Sequence, residues 1–378
     1  MITRWALLSN TTVAPLAASL KAGLAGLVGG AEVTCHEHGE CFRRILDPAS
    51  DLYQKGSDMA VLHLDLAELQ PSFDAIAVFG TAEEKKLLPE ECAGQVLALA
   101  RTLRVGLRAP LLVSTFSAPP RSPLGIGADP ARRRAMREAN LALGDALRSL
   151  PDSHAIDLEA LWREAGEADR DRRFEDIAQF PYGPRMQGLL VGEWLRHYRA
   201  LHGLSRKCVV LDLDNTLWGG VLGEDGADGI HLGNHPAGRA FHRFQSALKL
   251  LRRRGILLAI ASKNNANDIL PVLRNHPDMV LREEDFASIQ ANWHDKGTQI
   301  AAILDELKIA PRHLVFLDDN PSERLLVRRM HPEVLVPEMP ADPALFADLL
   351  SGCELDTLQF TREDALRTEM IRADRQRD

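Results

Sequence analysis

Short apolar runs alternate along this chain with longer stretches in which apolar residues recur at helical spacing. In the first half, residues 5–8, 32–35, 59–66, 111–116 and 155–158 read as strands, and residues 13–27, 83–107, 130–150 and 184–202 read as helices. The segment 45–53 reads as a helix end broken by Pro48 and followed by a loop, and 117–125 is a loop by composition. In the second half, residues 209–213, 256–262, 279–281 and 314–317 predict strands, while 236–254 and 297–307 predict helices. A further helix is expected to be capped by Asn267, with Pro271 near its first turn. Runs without a polar face are what strands covered on both sides require, and their alternation with helices implies parallel sheets. The expected fold class is therefore α/β, with two doubly wound parallel-sheet domains. The boundary is placed near Gly203-Leu204-Ser205, giving 1–203 as the first domain, 204–350 as the second and 351–378 as a charged tail.

Length supports two domains, since 378 residues exceed one average domain. A net charge of -8 argues against nonspecific binding to nucleic acid or to an anionic membrane surface. The local basic clusters Arg132-Arg133-Arg134, Arg252-Arg253-Arg254 and Arg328-Arg329 read either as solvated helix ends or as patches for an acidic partner. Five cysteines without a Cys-x-x-Cys pair make neither a disulfide framework nor a zinc site. The apolar amino terminus breaks at Ser9-Asn10, too soon for a signal peptide or a membrane span, so a cytoplasmic location is expected.

Candidate chemistry concentrates where apolar runs of the second half end. The run through Leu211 meets Asp212-Leu213-Asp214-Asn215-Thr216 and then Trp218-Gly219-Gly220. Like charges this close at a strand end are unfavourable without a cation between them, and Mg2+ suits an all-oxygen site. A carboxylate beside Mg2+ is also a competent nucleophile toward phosphorus. The run 256–262 ends in Ser262, followed by Lys263-Asn264-Asn265, whose hydroxyl and loop N–H groups suit a phosphoryl oxygen. Lys296 opens a helix and could reach a phosphate, although a lone lysine there is more often solvated. The run 314–317 ends in Asp318-Asp319-Asn320-Pro321. Residues 221–226 predict a small hairpin flap over these strand ends.

In this order, Asp212-x-Asp214-x-Thr216, Ser262, Lys296 and Asp318-Asp319 resemble the four motifs of the haloacid dehalogenase (HAD) superfamily. The stretches 211–226, 262–265 and 317–324, with softer support from 45–53 and 180–184, resemble more narrowly its FkbH-like proteins of polyketide biosynthesis. The resemblance implies a Mg2+-dependent enzyme that dephosphorylates 1,3-bisphosphoglycerate and loads a glyceryl unit onto a phosphopantetheinylated acyl carrier protein. It implies Asp212 as nucleophile, Asp214 as acid and then base, and Ser262 and Lys296 as holders of the phosphoryl group. Asp212, Asp214, Asp318 and Asp319 would hold the metal, while Thr216, Lys263, Asn264 and Asn320 would line the substrate. The order of elements in the first half is similar to SGNH hydrolases. Ser9 occupies the nucleophile's place without a Gly-Asp-Ser pattern, and Asp152-Ser153-His154 departs from Asp-x-x-His, so loss of the triad and a docking or positioning role are expected. Two rival readings stand beside this one: a phosphatase without acyl transfer, and a non-catalytic scaffold that docks a carrier protein.

Overall fold

The computed structural model describes residues 2–117, 123–359 and 361–375, so the middle of the expected 117–125 loop and the last residues of the tail lie outside the described residues. The chain divides into two compact units, Met1–Tyr198 and Arg199–Asp378, a division inside the last turn of the helix Pro184–Leu201 rather than after it. Each unit carries its own parallel sheet, as the α/β fold class requires.

The first unit holds β1 (Thr3–Ser9), β2 (Ala31–His36), β3 (Met59–His63), β4 (Leu111–Ser114) and β5 (Ser153–Ile156), hydrogen-bonded in the order β2-β1-β3-β4-β5. The winding reverses between β1 and β3, where Ser9 and His63 are register partners at the carboxyl edge. Every residue of β3 is buried, and the long helices Ala82–Gly106 and Asp129–Arg148 pack on the same core. The first of these helices is closed by a capping box, Thr81 with Glu84, which satisfies two N–H groups that the helix start would otherwise leave open. The Ser9 hydroxyl is buried, lying 3.1 Å from Thr11 Oγ1 and accepting from the Thr11 N–H at 3.0 Å.

His63 is also buried, with Nδ1 2.8 Å from Ser114 Oγ and Nε2 2.7 Å from the Tyr182 hydroxyl. Burial pushes its pKa down to about 4, because an imidazolium there would be stripped of water. A histidine whose folded pKa lies below its unfolded value stabilises the fold fully above about pH 6.5 and loses that contribution as pH falls toward 4. The first unit is therefore expected to lose up to about 3 kcal/mol across that window. Urea titrations at pH 7 and pH 4.5 check this, and a His63→Gln variant that keeps the same slope would show that another group is responsible.

The second unit holds β6 (Cys208–Leu211), β7 (Leu257–Ser262), β8 (Phe286–Ala291) and β9 (Leu314–Leu317), in the order β8-β7-β6-β9. The expected strand at 279–281 is absent. The N–H groups of Val280 and Leu281 instead donate to Gln245 Oε1, which takes the bonds a strand partner would have taken. The edge strand lies further on, at Phe286–Ala291, where polar Ser288 and Gln290 interrupt the apolar signal. The expected hairpin flap is a one-turn helix, Leu222–Asp225, because the Val221 N–H is drawn to Asp225 Oδ2 at 2.8 Å. In the helix Ala266–Asn275 the cap position belongs to Asn265, not Asn267, and Pro271 sits inside the helix. Cys353 and Leu355, placed in the tail by the sequence reading, are buried in the core with Phe346 and Leu350. Among the described residues, no helix is long and apolar enough to cross a membrane.

Candidate active site

Register puts the chemistry of the second unit on one edge. Leu211 pairs with Ile260 on one side and with Leu317 on the other, so Asp212 and Asp318 leave the sheet together, while β7 runs two residues further and ends at Ser262. Asp212, Ser262 and Asp318 therefore emerge at the carboxyl ends of three adjacent strands, where parallel sheets place ligands. The chain turns away from β6 through Asn215, whose φ of 52° is tolerable for asparagine. The Asn215 side chain accepts from the Gly220 N–H at 3.0 Å, which closes the turn.

Asp212, Asp318 and Asp319 each offer a carboxylate oxygen within 4.8 Å of the others. Lys296, 2% exposed, reaches them from the start of the helix Lys296–Leu307, with its Nζ 2.5 Å from Asp212 Oδ1 and 3.0 Å from Asp318 Oδ2. It also donates to the Ala261 carbonyl at 2.7 Å. Burial pushes Asp212 up to about 6, a rise that Lys296 reduces and Asp318 reinforces. Asp318 and Asp319 are raised for the same first reason. Burial pulls Lys296 down, but the two carboxylates more than offset it, and its net shift is upward.

Lys296 is paired with Asp212 and Asp318, and the exposed Asp319 stands beside them. The donor set is all oxygen, and buried Asp318 Oδ2 has only Lys296 Nζ, at 3.0 Å, as a partner among the described residues. These residues fit a small divalent cation.

The fourth expected metal ligand, Asp214, does not join the cluster. Its Oδ1 accepts from Trp218 Nε1 at 2.9 Å and from the Leu222 N–H at 3.0 Å, and its Oδ2 accepts from Asn264 Nδ2 at 2.8 Å. Three donors aim the carboxylate and hold it apart from the other acids. Asn264, expected to meet substrate, is a bridge, since its Nδ2 also lies 3.1 Å from Ser262 Oγ. Thr216, another expected substrate contact, is fully buried, and its hydroxyl accepts from the Asp319 N–H at 3.1 Å. That bond ties the loop after β6 to the loop after β9. Asn320 caps the helix Pro321–Met330 through the Ser322 N–H, and Lys263 is paired with Glu323 at 2.5 Å.

Three supports were not anticipated from the sequence. Arg324 is buried and donates from Nη1 to the carbonyls of Asp318 and Asp319 at 2.8 and 2.7 Å, fixing the acidic loop from behind. Gln299 donates to the Ser262 carbonyl at 3.0 Å and to the Asn292 carbonyl at 2.9 Å. The third is the Trp218 indole on Asp214. A Trp218→Phe variant keeps the buried ring and removes that donor, so kcat for phosphate release is expected to fall about tenfold with KM little changed. Steady-state kinetics check this, and an unchanged kcat would mean that the indole does not steady the carboxylate.

Over most of its length the chain is similar to a solved structure, the N-terminal part of the protein BF1531 from Bacteroides fragilis, described as containing a phosphatase domain and complexed with Mg. The two are 28% identical, the match covers 95% of each chain, and the TM-score is 0.81. Two other likenesses are partial. One is 3-deoxy-D-manno-octulosonate 8-phosphate phosphatase from Moraxella catarrhalis, in complex with magnesium, phosphate and KDO, at 19% identity over 47% of this chain and 90% of that one, TM-score 0.24. The other is a proposed HAD-superfamily (subfamily III A) hydrolase from Legionella pneumophila, at 17% identity over 50% of this chain and 100% of that one, TM-score 0.26. At those scores only the first likeness carries weight. No family model and no curated protein matches the chain.

Proposed function

We propose that the second unit is a Mg2+-dependent phosphatase of the HAD type that works through the carboxylate of Asp212. The observation that carries this reading is the cluster of Asp212, Asp318 and the exposed Asp319, with buried Lys296 paired to the first two, at the carboxyl ends of adjacent strands. It is supported by likeness over 95% of the chain to a protein with a phosphatase domain complexed with Mg. Asp212, Asp318 and Asp319 would hold Mg2+, which when bound neutralises charge on the phosphoryl oxygens. Asp212 attacks phosphorus while Asp214 gives its proton to the departing oxygen, and the bond between phosphorus and that oxygen breaks. Asp214, now a carboxylate, takes a proton from water, the water oxygen attacks the aspartyl phosphate, and phosphate leaves with Asp212 restored. Lys296 and Ser262 hold the phosphoryl oxygens during both transfers.

The finer reading follows from the FkbH-like resemblance: the substrate is 1,3-bisphosphoglycerate, the phosphopantetheine thiolate of an acyl carrier protein in the cytoplasm attacks its C1 carbonyl with loss of the C1 phosphate, and hydrolysis at Asp212 removes the C3 phosphate to leave a glyceryl thioester. Transfer straight to that thiol is favoured over a route through an enzyme cysteine. Burial pushes Cys35 and Cys92 up to about 11, and Cys41, Cys208 and Cys353 up to about 12, so none offers a thiolate near neutral pH. The test is to incubate the protein with Mg2+, 1,3-bisphosphoglycerate and the phosphopantetheinylated, unacylated carrier, then weigh the carrier by mass spectrometry. A glyceryl adduct that disappears with Asp212→Asn is the expected result. Phosphate release without an adduct supports the plain phosphatase, and neither product leaves the docking scaffold.

A further inference from the structure

The first unit contains a cavity of about 360 Å3 that the phosphatase chemistry does not use. Its walls come from the helices Asp129–Arg148 and Leu158–Ala165, with Ser117 beyond the end of β4. It therefore opens on the carboxyl side of the first sheet, the side on which α/β folds place ligands. Its size is at the lower end of small-molecule sites.

Four arginines line it: Arg132, Arg133, Arg137 and Arg163. Arg132 is buried and paired with Asp74 at 3.8 Å, and two glutamates also line the cavity. Glu167 is engaged by arginines outside the cavity, Arg170 at 3.2 Å and Arg172 at 3.0 Å. Glu159 is shared between two of the four, 3.8 Å from Arg137 and 3.9 Å from Arg163, both beyond hydrogen-bond distance. One carboxylate is shared between two guanidiniums whose side chains are 63% and 76% exposed, and planar guanidinium forks suit oxyanions.

The remaining wall is apolar and rigid. Met136 is buried, and Trp162 is fixed on Tyr182, with ring centroids 5.8 Å apart, and by the Arg170 guanidinium 4.4 Å from its ring centroid. Rigid walls lower the ordering cost of binding.

We propose that this cavity binds an organic phosphate, with the phosphate on Arg137 and Arg163 and its carbon body against Trp162 and Met136. The inference does not depend on the chemistry assigned to the second unit. Hexylphosphonate, which no phosphatase can hydrolyse, is the probe, titrated calorimetrically into the full chain in Mg2+-free buffer with chelator. Arg137→Gln with Arg163→Gln is expected to weaken binding at least about tenfold while leaving Mg2+-dependent phosphate release unchanged. Glu159→Gln, which removes the competing carboxylate, is expected to tighten binding several-fold, a gain that misfolding cannot mimic. Asp212→Asn is expected to bind the probe as the wild type does, and 1-hexanol at the same concentration not to bind. The proposal is overturned if the double arginine variant binds like wild type, if Glu159→Gln fails to tighten binding, or if Asp212→Asn abolishes it, which would put the phosphonate in the second unit. Binding of inorganic phosphate as tight as that of hexylphosphonate would overturn the part assigned to Trp162 and Met136.

Discussion

Asp212→Asn is expected to reduce Mg2+-dependent phosphate release at least about 10^4-fold, the scale on which loss of a covalent nucleophile acts. The same change is expected to make the Mg2+-free protein slightly more stable. Asparagine keeps the oxygen that accepts from Lys296 at 2.5 Å, while one of three neighbouring acids loses its charge. What disappears is stabilisation by the ion, which for a site at a hundred times its Kd amounts to about 2.7 kcal/mol. Thermal melts with and without Mg2+, run beside the activity assay, separate the two effects. A variant that turns over at more than about a hundredth of the wild-type rate would remove Asp212 from the chemistry. One that keeps the full Mg2+ shift would remove it from the metal site.

Lys296→Met has the opposite signature. The lysine is the cation placed among the buried acids, and removing one partner of such a group leaves charge without compensation, a change that costs about 3–5 kcal/mol. Methionine preserves most of the volume, so the loss should be electrostatic, and added Mg2+ should recover much of it. The aliphatic stem loses little, although its neighbour Phe316 has its ring centroid 5.9 Å from the ammonium. Urea titration of the second unit at saturating and zero Mg2+ provides the measurement. A destabilisation below about 1 kcal/mol, or one that Mg2+ leaves untouched, would mean that the acids share their charge in some other way.

The sequence made the acidic cluster legible because each of its members follows an apolar run, and register in a parallel sheet turns successive run ends into neighbours. Lys296 was harder to judge, since a lone lysine at a helix start is usually solvated, and only packing shows that this one is buried. Thr216 and Asn320 look like ligand contacts because they sit inside the motifs, yet their polar atoms are used on backbone N–H groups. Arg324, Gln299 and Trp218 escaped notice for a related reason. Gln299 acts on a carbonyl from a distant stretch, while Trp218 and Arg324 act on groups four to six residues away across irregular turns, and neither arrangement leaves a periodic trace. The edge strand β8 was missed because its polar residues break the apolar run, whereas 279–281 has the right composition and too few residues. The arginine clusters were visible as charge, but not the cavity that gathers one of them with Arg163.

The way β6, β7 and β9 keep step has a consequence for how this site can change. Side chains in a strand alternate between faces, so deleting a single residue between Leu314 and Leu317 would preserve the pairing of the sheet while sending the following acid to the opposite side. Drift in the helices and outer loops is absorbed gradually, but a frame slip in one of these three strands is all or nothing. The site is thus tolerant of substitution around its margins and intolerant of any change in strand length beneath it.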